Sequence, residues 1–90
     1  MEQEIKMNNG YHISKIEKGT FGEVSKIKKE VAELEDAISQ GAKVMALVEL
    51  SDLIGAIQGF LSNYFPDMSL DDLIIMSKIT KRAFENGERK

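Results

Sequence analysis

Two pairs of acidic residues lie at mirrored distances from one glycine. The residues of each pair are three positions apart, Glu30 with Glu33 and Glu49 with Asp52. Residues three apart share a face of an α-helix. Gly41 is eight residues from both Glu33 and Glu49, so a helical hairpin turning there would set the pairs opposite each other, ~12 Å from the turn. The spacing predicts four carboxylates at one level of two antiparallel helices.

Four carboxylates held together need a compensating cation. Neighbouring like charges oppose one another's ionisation, and desolvation adds to that cost. Ligands that are all oxygen suit Mg²⁺, with Mn²⁺ as a substitute. We therefore expect a metal site whose ligands are Glu30, Glu33, Glu49 and Asp52.

The alternative is a set of ordinary surface acids paired with lysines. It suits Glu30 alone, because Lys26 lies four residues before it on the same helical face. It is weak for Glu49 and Asp52, which are the only charged residues between positions 44 and 63. A charge in so apolar a helix is costly to desolvate unless a partner compensates it.

The composition limits the chemistry available to the chain. Its 90 residues are 42% hydrophobic and 30% charged, which indicates a single soluble domain, residues 1–90, with a loose polar arm at 1–10. The lack of cysteine excludes disulfides and thiolate chemistry, and one histidine does not support a zinc or ferritin-like di-iron cluster. So short a chain buries a small core, and we expect oligomerisation to complete it.

Charge and hydropathy bear on location and partners. A net charge of −3 and a pI near 5.1 disfavour binding to a nucleic acid polymer. The N-terminus is too polar for a signal peptide. The apolar stretch 44–61 is interrupted by Glu49 and Asp52, which argues against a membrane span. We therefore expect a cytoplasmic protein without membrane contact.

The hydrophobic pattern predicts an all-α fold. A first long helix is expected between a capping box at 20–23 and Gly41, with apolar residues three or four positions apart. A second is expected over about 43–63 and a third over 69–86, and residues 11–18 could hold a short N-terminal helix. The predicted architecture is a helical bundle of two long antiparallel helices, the third helix and the short one, completed by oligomerisation.

The acidic pairs also carry a resemblance to a known family. Glu-x-x-Glu at 30–33, fifteen further residues and Glu-x-x-Asp at 49–52 resemble the signature of the MazG-like superfamily of all-α nucleoside triphosphate pyrophosphohydrolases. The resemblance implies Mg²⁺-dependent hydrolysis of a (deoxy)nucleoside triphosphate to a monophosphate and pyrophosphate. It also implies that the four acids bind the metal, and Glu33 is the candidate catalytic base. Lys29 stands where family members often have a further glutamate.

Basic residues offer places to hold the triphosphate. Lys78, Lys81 and Arg82 lie close together in the third predicted helix, where similar proteins place phosphate-binding groups. Alternatively, these positive charges only stabilise the helix, because they lie near the negative end of its dipole at the C-terminus. Lys26 is a further substrate-binding candidate.

Aromatic side chains near the first long helix could stack on a nucleobase. Tyr11 and His12 precede that helix and Phe21 opens it, but ordinary core or surface positions explain them as well. His12 is not expected to bind metal, because no second histidine accompanies it.

The leading hypothesis is a nucleotide pyrophosphohydrolase that forms a homodimer or homotetramer. Two alternatives stay open. A non-catalytic helical interaction module with the same fold would also explain the apolar middle helix. A relative with a narrow substrate, such as a dUTPase or a phosphoribosyl-ATP pyrophosphohydrolase, is equally compatible with the resemblance.

Overall fold

Three α-helices make up the part of the chain that this computed structural model describes, residues 12–13 and 15–87. Helix α1 spans Val24–Ser39, α2 spans Lys43–Tyr64 and α3 spans Leu70–Glu85. No strand occurs among these residues, so the predicted all-α class is confirmed. The predicted arm at 1–10 lies outside the described residues.

A glycine turn joins α1 to α2, as the sequence predicts. Gly41 has a φ of 72°, in the left-handed region that favours glycine. Its backbone N–H donates to the carbonyl of Ile38 at 3.0 Å, and that of Ala42 donates to the carbonyl of Ala37 at 2.9 Å. These two bonds end α1 in a Schellman motif and return the chain along α1 as a helical hairpin.

The hairpin buries few apolar side chains, and most of these are small. Ala37, Ala46 and Ala56 are at most 7% exposed, and Leu61 is the one larger apolar residue buried among those described. Four acidic residues are buried to the same degree: Glu30, Glu33, Asp36 and Glu49. Charged groups therefore occupy positions where a soluble domain normally keeps its core.

Much of the apolar surface of the hairpin stays exposed. The predicted apolar stripe of α1 includes Val31 and Ile38, which are 39% and 60% exposed. On α2, Val44 and Leu47 are 73% and 67% exposed. The acidic stripe of α1 faces α2 in place of its apolar stripe, and among the described residues no large side chain of the apolar stripe is fully buried.

Helix α3 packs against α2 and has no contact with α1 among the described residues. The Ser69 hydroxyl accepts a hydrogen bond from the Asp72 backbone N–H at 3.1 Å, and the Asp72 carboxylate accepts one from the Ser69 N–H at 2.9 Å. This reciprocal capping box begins α3, and Gly87, with a φ of 78°, follows its end. The predicted limits of the third helix are confirmed.

The predicted short helix at 11–18 is wrong for the residues that the structure describes. Residues 12, 13 and 15–20 are not helical. The Asp36 carboxylate accepts hydrogen bonds from the His12 ring and from the Ile13 N–H, and it holds this segment against α1. A long-range contact thus overrides the local apolar spacing that favoured a helix.

Helix α1 begins later than predicted. The expected capping box between Thr20 and Glu23 is absent, and Glu23 precedes the helix without a side-chain capping bond. The Thr20 N–H donates to the Ser25 hydroxyl, and the Glu23 carboxylate accepts a hydrogen bond from the Tyr64 hydroxyl at 2.7 Å. The groups that would have made the box are engaged by other partners.

Helix α2 is long and apolar enough to cross a membrane, with a mean hydropathy of 1.6 over 18 residues. The core helix of a soluble protein meets the same criteria, so this property alone decides nothing. The expectation of a protein without membrane contact stays a prediction.

The turn can be tested with two glycine-to-alanine changes. A Cβ at Gly41 or at Gly55 would meet no atom within 4 Å, but only Gly41 has a positive φ. We expect Gly41→Ala to lower the free energy of unfolding by about 1–2 kcal/mol through backbone strain. Gly55→Ala, inside α2, should raise it by about 1 kcal/mol through helix propensity. Urea denaturation followed by circular dichroism measures both, and equal shifts would contradict the assigned turn.

Candidate metal centre

Helix α1 presents a stripe of acidic side chains to α2. Glu30, Glu33 and Asp36 follow one another at intervals of three and are all buried. From α2, Glu49 is buried, and Asp52 lies at the exposed edge. The mirrored register brings the four predicted carboxylates together at the hairpin, and Asp36 is a fifth that was not predicted.

These side chains form two overlapping groups of potential metal ligands. In one group, ligand oxygens of Glu30, Glu49 and Asp52 lie within 4.8 Å of one another. In the other, His12 joins Glu33 and Glu49 within the same limit, so Glu49 belongs to both groups. Oε1 of Glu30 is buried and has no hydrogen-bond partner among the described residues. A buried carboxylate oxygen without a donor is costly unless a cation approaches it.

Two lysines of α1 partly neutralise the acids. Lys26 Nζ lies 3.2 Å from Glu30 Oε2, and Lys29 Nζ lies 3.3 Å from Glu33 Oε2 and 3.6 Å from Glu30 Oε2. Burial lowers the pKa of Lys29, but the charges of Glu33 and Glu30 outweigh burial and raise that pKa above its usual value. Among the residues that the structure describes, the five acids of the site therefore outnumber the two lysines beside them.

The excess charge shows in the carboxyl pKa values. Desolvation raises the pKa of Glu33 to about 7, with help from Glu30 and Glu49 and against the opposing charge of Lys29. Desolvation together with the charges of Glu30 and Glu49 also raises the pKa of Asp52. A carboxyl group with a raised pKa releases its proton less readily, and a cation beside it would favour the charged form.

His12 enters the site from the segment that precedes α1. Its side chain is 4% exposed, and its Nδ1 lies 2.8 Å from Oδ2 of Asp36. On the other side of the ring, Nε2 lies 3.3 Å from Oε2 of Glu49 and 3.8 Å from Oε2 of Glu33. The imidazole therefore bridges the acid at the end of the α1 stripe and the carboxylates at the centre of the site.

A cavity of about 360 Å³ opens beside the first group of carboxylates. The side chains along it include acids, bases and one aromatic ring: Glu30, Asp52, Lys26, Lys29 and Phe21. The ring of Phe21 lies over Gly59 of α2, where a Cβ would come within 2.5 Å of a ring carbon. Glycine at this position lets the ring reach the side of the cavity.

The three basic residues predicted on α3 are not brought to this cavity. Lys78, Lys81 and Arg82 are exposed, α3 does not contact α1, and none of the three lines the cavity. Lys81 pairs instead with Glu85 at 2.6 Å. Their role in substrate binding stays a prediction, and one chain by itself gives it no geometric support.

Sequence analysis missed three residues of the site. Asp36 carried a usable signal, because it extends the spacing of Glu30 and Glu33 by a further three residues. His12 carried none, since only a tertiary contact joins it to Asp36, 24 residues along the chain. Lys29 stood out as a departure from the family pattern, and it is an ion-pair partner of both acids of α1.

The donor set fits a hard divalent cation. The first group offers oxygen atoms only, from Glu30, Glu49 and Asp52, and the buried Oε1 of Glu30 lacks any donor among the described residues. Mg²⁺ and Mn²⁺ prefer such carboxylate ligands.

Comparison with known proteins adds nothing to this geometry. The chain matches no protein-family model, no curated protein and no solved structure. Function is therefore inferred from the residues themselves.

The raised pKa of Glu33 predicts how stability varies with pH. A carboxyl group whose pKa is about 7 in the folded chain and about 4.5 in the unfolded chain binds its proton more tightly when folded. Its contribution to stability is full below pH 4.5 and is lost as the pH rises towards 7. In buffer with EDTA, the urea midpoint should therefore fall between pH 5 and pH 7.5.

The fall should be smaller in Glu33→Gln, which cannot ionise at that position. Glu35→Gln is the matched control, because Glu35 is an exposed acid of the same helix. Identical pH profiles for wild type and Glu33→Gln would contradict the assignment.

Proposed function

We propose that the protein is a Mg²⁺-dependent nucleotide pyrophosphohydrolase, which cleaves a (deoxy)nucleoside triphosphate to the monophosphate and pyrophosphate. The observation that carries the proposal is the cluster of buried carboxylates across α1 and α2, with a cavity at its side. Burying four carboxylates is costly, and a bound cation would offset that cost where the described acids outnumber the lysines beside them. The resemblance of the two acidic pairs to the MazG-like signature supports the same reaction.

Glu30, Glu33, Glu49 and Asp52 are the proposed ligands of Mg²⁺. A bound Mg²⁺ would neutralise the polyphosphate and lower the pKa of an attacking water molecule. Glu49 belongs to both groups of potential ligands, so it would be available to an ion in either group. Proton transfer and binding of the nucleotide would be carried out by side chains of the protein.

Glu33 is the proposed general base. Without an ion in the site its pKa is raised to about 7, and a cation beside it would favour the ionised form, which can take a proton from water. The ammonium group of Lys29 lies 3.3 Å from Glu33 and opposes the addition of a proton to that carboxylate. By itself, Lys29 would lower the pKa of Glu33 and make it a weaker base.

The cavity beside Glu30 and Asp52 is the proposed place for the nucleotide. Lys26 and Lys29 line it and would pair with phosphate oxygens, which are the preferred partners of ammonium groups. Phe21 offers an exposed ring, 68% accessible, on which a base could stack. Metal, phosphate and base contacts would then lie within one cavity.

The reaction can be tested with a panel of nucleotides. With Mg²⁺, we expect at least one (d)NTP to yield pyrophosphate and the matching monophosphate. Asp52→Asn removes one proposed ligand at the exposed edge of the cluster and should lower kcat/KM by at least about 100-fold. Asp71→Asn is the matched control, since Asp71 is an exposed acid of α3. Pyrophosphate release coupled to a colour reaction, with products separated by chromatography, measures both.

Two other outcomes of this test would each favour one of the alternative functions. If no nucleotide is cleaved and calorimetry detects no Mg²⁺-dependent nucleotide binding, the interaction module becomes the better description. If dUTP or phosphoribosyl-ATP alone is cleaved, the narrow-substrate alternative holds.

We also propose that the chain assembles as a homodimer or homotetramer, which would complete the helical bundle. The exposed apolar residues of α1 and α2 support this, because exposed apolar patches of this kind mark interaction surfaces. A neighbouring copy is also the route by which Lys78, Lys81 and Arg82 could reach a substrate.

If the exposed apolar surface is the interface between copies, one charged residue placed on it should disrupt the assembly. Leu47→Glu, at a 67% exposed position of α2, should shift the molar mass in solution towards the 10.1 kDa of one chain. Ser62→Glu places the same charge at an exposed polar position of the same helix and should leave the mass unchanged. Size-exclusion chromatography with light scattering measures both, and a wild-type mass of one chain would refute the assembly.

A further inference from the structure

A second cavity, of about 370 Å³, lies between α1 and the non-helical segment that precedes it. Cavities of this size commonly hold small molecules. Of the residues that line it, only Lys29 also lines the cavity beside Glu30 and Asp52. The second cavity is therefore a separate place on the hairpin, to which the proposed reaction assigns no role.

Hydrogen bonds hold the segment against α1 at both ends of this cavity. Before it, the Ile13 N–H donates to the Asp36 carboxylate at 3.1 Å, and after it, the Thr20 N–H donates to the Ser25 hydroxyl at 2.9 Å. Gly19, with a φ of 70°, brings the chain so close to α1 that a Cβ there would clash with the Ser25 carbonyl. The two walls of the cavity are therefore fixed to each other.

Positive charge reaches the cavity from both walls. Lys15 lines it from the segment, and Lys28 and Lys29 line it from α1, whereas Glu17 is the one acid along it among the described residues. Lys29 is paired with acids of α1. Lys15 and Lys28 have no carboxylate partner among the described residues, so their ammonium groups can pair with a ligand.

The sequence concentrates positive charge around the cavity. Residues 15–29 contain five lysines and two glutamates, in a chain whose net charge is −3. Ammonium groups held close together repel one another, and an anion between them relieves that repulsion. Lysine is also a common partner of phosphate oxygens in proteins. The charge at this cavity thus favours an anion, in contrast to the acidic cluster between α1 and α2.

We propose that this cavity binds phosphate, either as the free anion or as the monoester of a small organic molecule. Lys15 and Lys28 would pair with the phosphate oxygens from opposite walls. Ile16 and Ala32, both partly buried, add apolar surface on which the organic part of an ester could pack. Binding there needs no metal ion and no hydrolysis, so the site goes beyond the proposed function.

The test uses full-length ¹⁵N-labelled protein freed of divalent ions on a chelating resin. It is titrated with inorganic phosphate and, separately, with phenyl phosphate, while amide resonances are followed by NMR. We expect saturable shifts at residues 15–19 and 25–32 and none at 49–56, which border the metal-ligand candidates. Tighter binding of phenyl phosphate assigns the site to phosphate esters, and equal binding assigns it to the free anion. Either result supports the site.

Three variants separate the cavity from its surroundings. Lys28→Gln should weaken binding of phenyl phosphate about tenfold, the effect of one charge-assisted hydrogen bond. Ala32→Leu fills part of the cavity at unchanged charge and should also weaken binding. Lys18→Gln is the matched control, because Lys18 is an exposed lysine of the same segment that does not line the cavity. It should retain the affinity of the wild type. Circular dichroism checks folding, and the wild-type shifts decide if a variant does not fold.

Three results would overturn the inference. If neither ligand shifts residues 15–19, the cavity binds no phosphate. If Lys18→Gln weakens binding as much as Lys28→Gln, the attraction is that of a diffuse positive surface. If binding requires Mg²⁺ and shifts residues 49–56, phosphate binds at the proposed metal centre, which supports the proposed function alone. Conversely, binding to metal-free protein together with a failed nucleotide panel leaves the phosphate site standing without the proposed reaction.

Discussion

Burying a carboxylate costs several kcal/mol unless nearby positive charge offsets it, and the hairpin of this protein buries four. Lys26 and Lys29 lie against the acids of α1, and the imidazole of His12 lies at the opposite end of the group. The faces that α1 and α2 turn towards each other carry this cluster. The apolar residues that share the burial are mainly alanines, which bring little hydrophobic stabilisation of their own.

The same cluster decides which face of α1 is left for other contacts. Only one face of α1 can pack against α2, and that face carries Glu30, Glu33 and Asp36. The apolar stripe is therefore displaced outwards, where Val31 and Ile38 remain exposed. The buried cluster and the exposed apolar surface both follow from the orientation of α1 about its own axis. That is why the site and the exposed apolar surface, on which the proposed assembly depends, occur on the same hairpin.

The sequence predicts the features that periodicity and turn chemistry control. Gly41 marks the turn because no other residue adopts its φ as cheaply, and the mirror spacing of Glu33 and Glu49 then follows from helix geometry. Ser69 and Asp72 form the predicted capping box because both are local and face solvent, where little competes with them.

Features that depend on distant partners escape prediction. The apolar spacing near residue 13 suggests a helix, but Asp36 of α1 takes the hydrogen bonds of this segment. The capping box at Thr20 is likewise lost because Tyr64, from the far end of α2, engages Glu23. Both failures arise where one polar side chain has two suitable partners, one near in sequence and one near in space.

The net charge illustrates the limit of arguments from composition. The chain has 15 acidic and 12 basic residues, and the site holds five of the former and two of the latter. Among the described residues, the acids of this cluster therefore exceed its lysines by three, which equals the net charge of the whole chain. A divalent ion bound there, as proposed, would offset two-thirds of that excess. The net charge of a chain therefore does not tell where on the molecule its negative charge is concentrated.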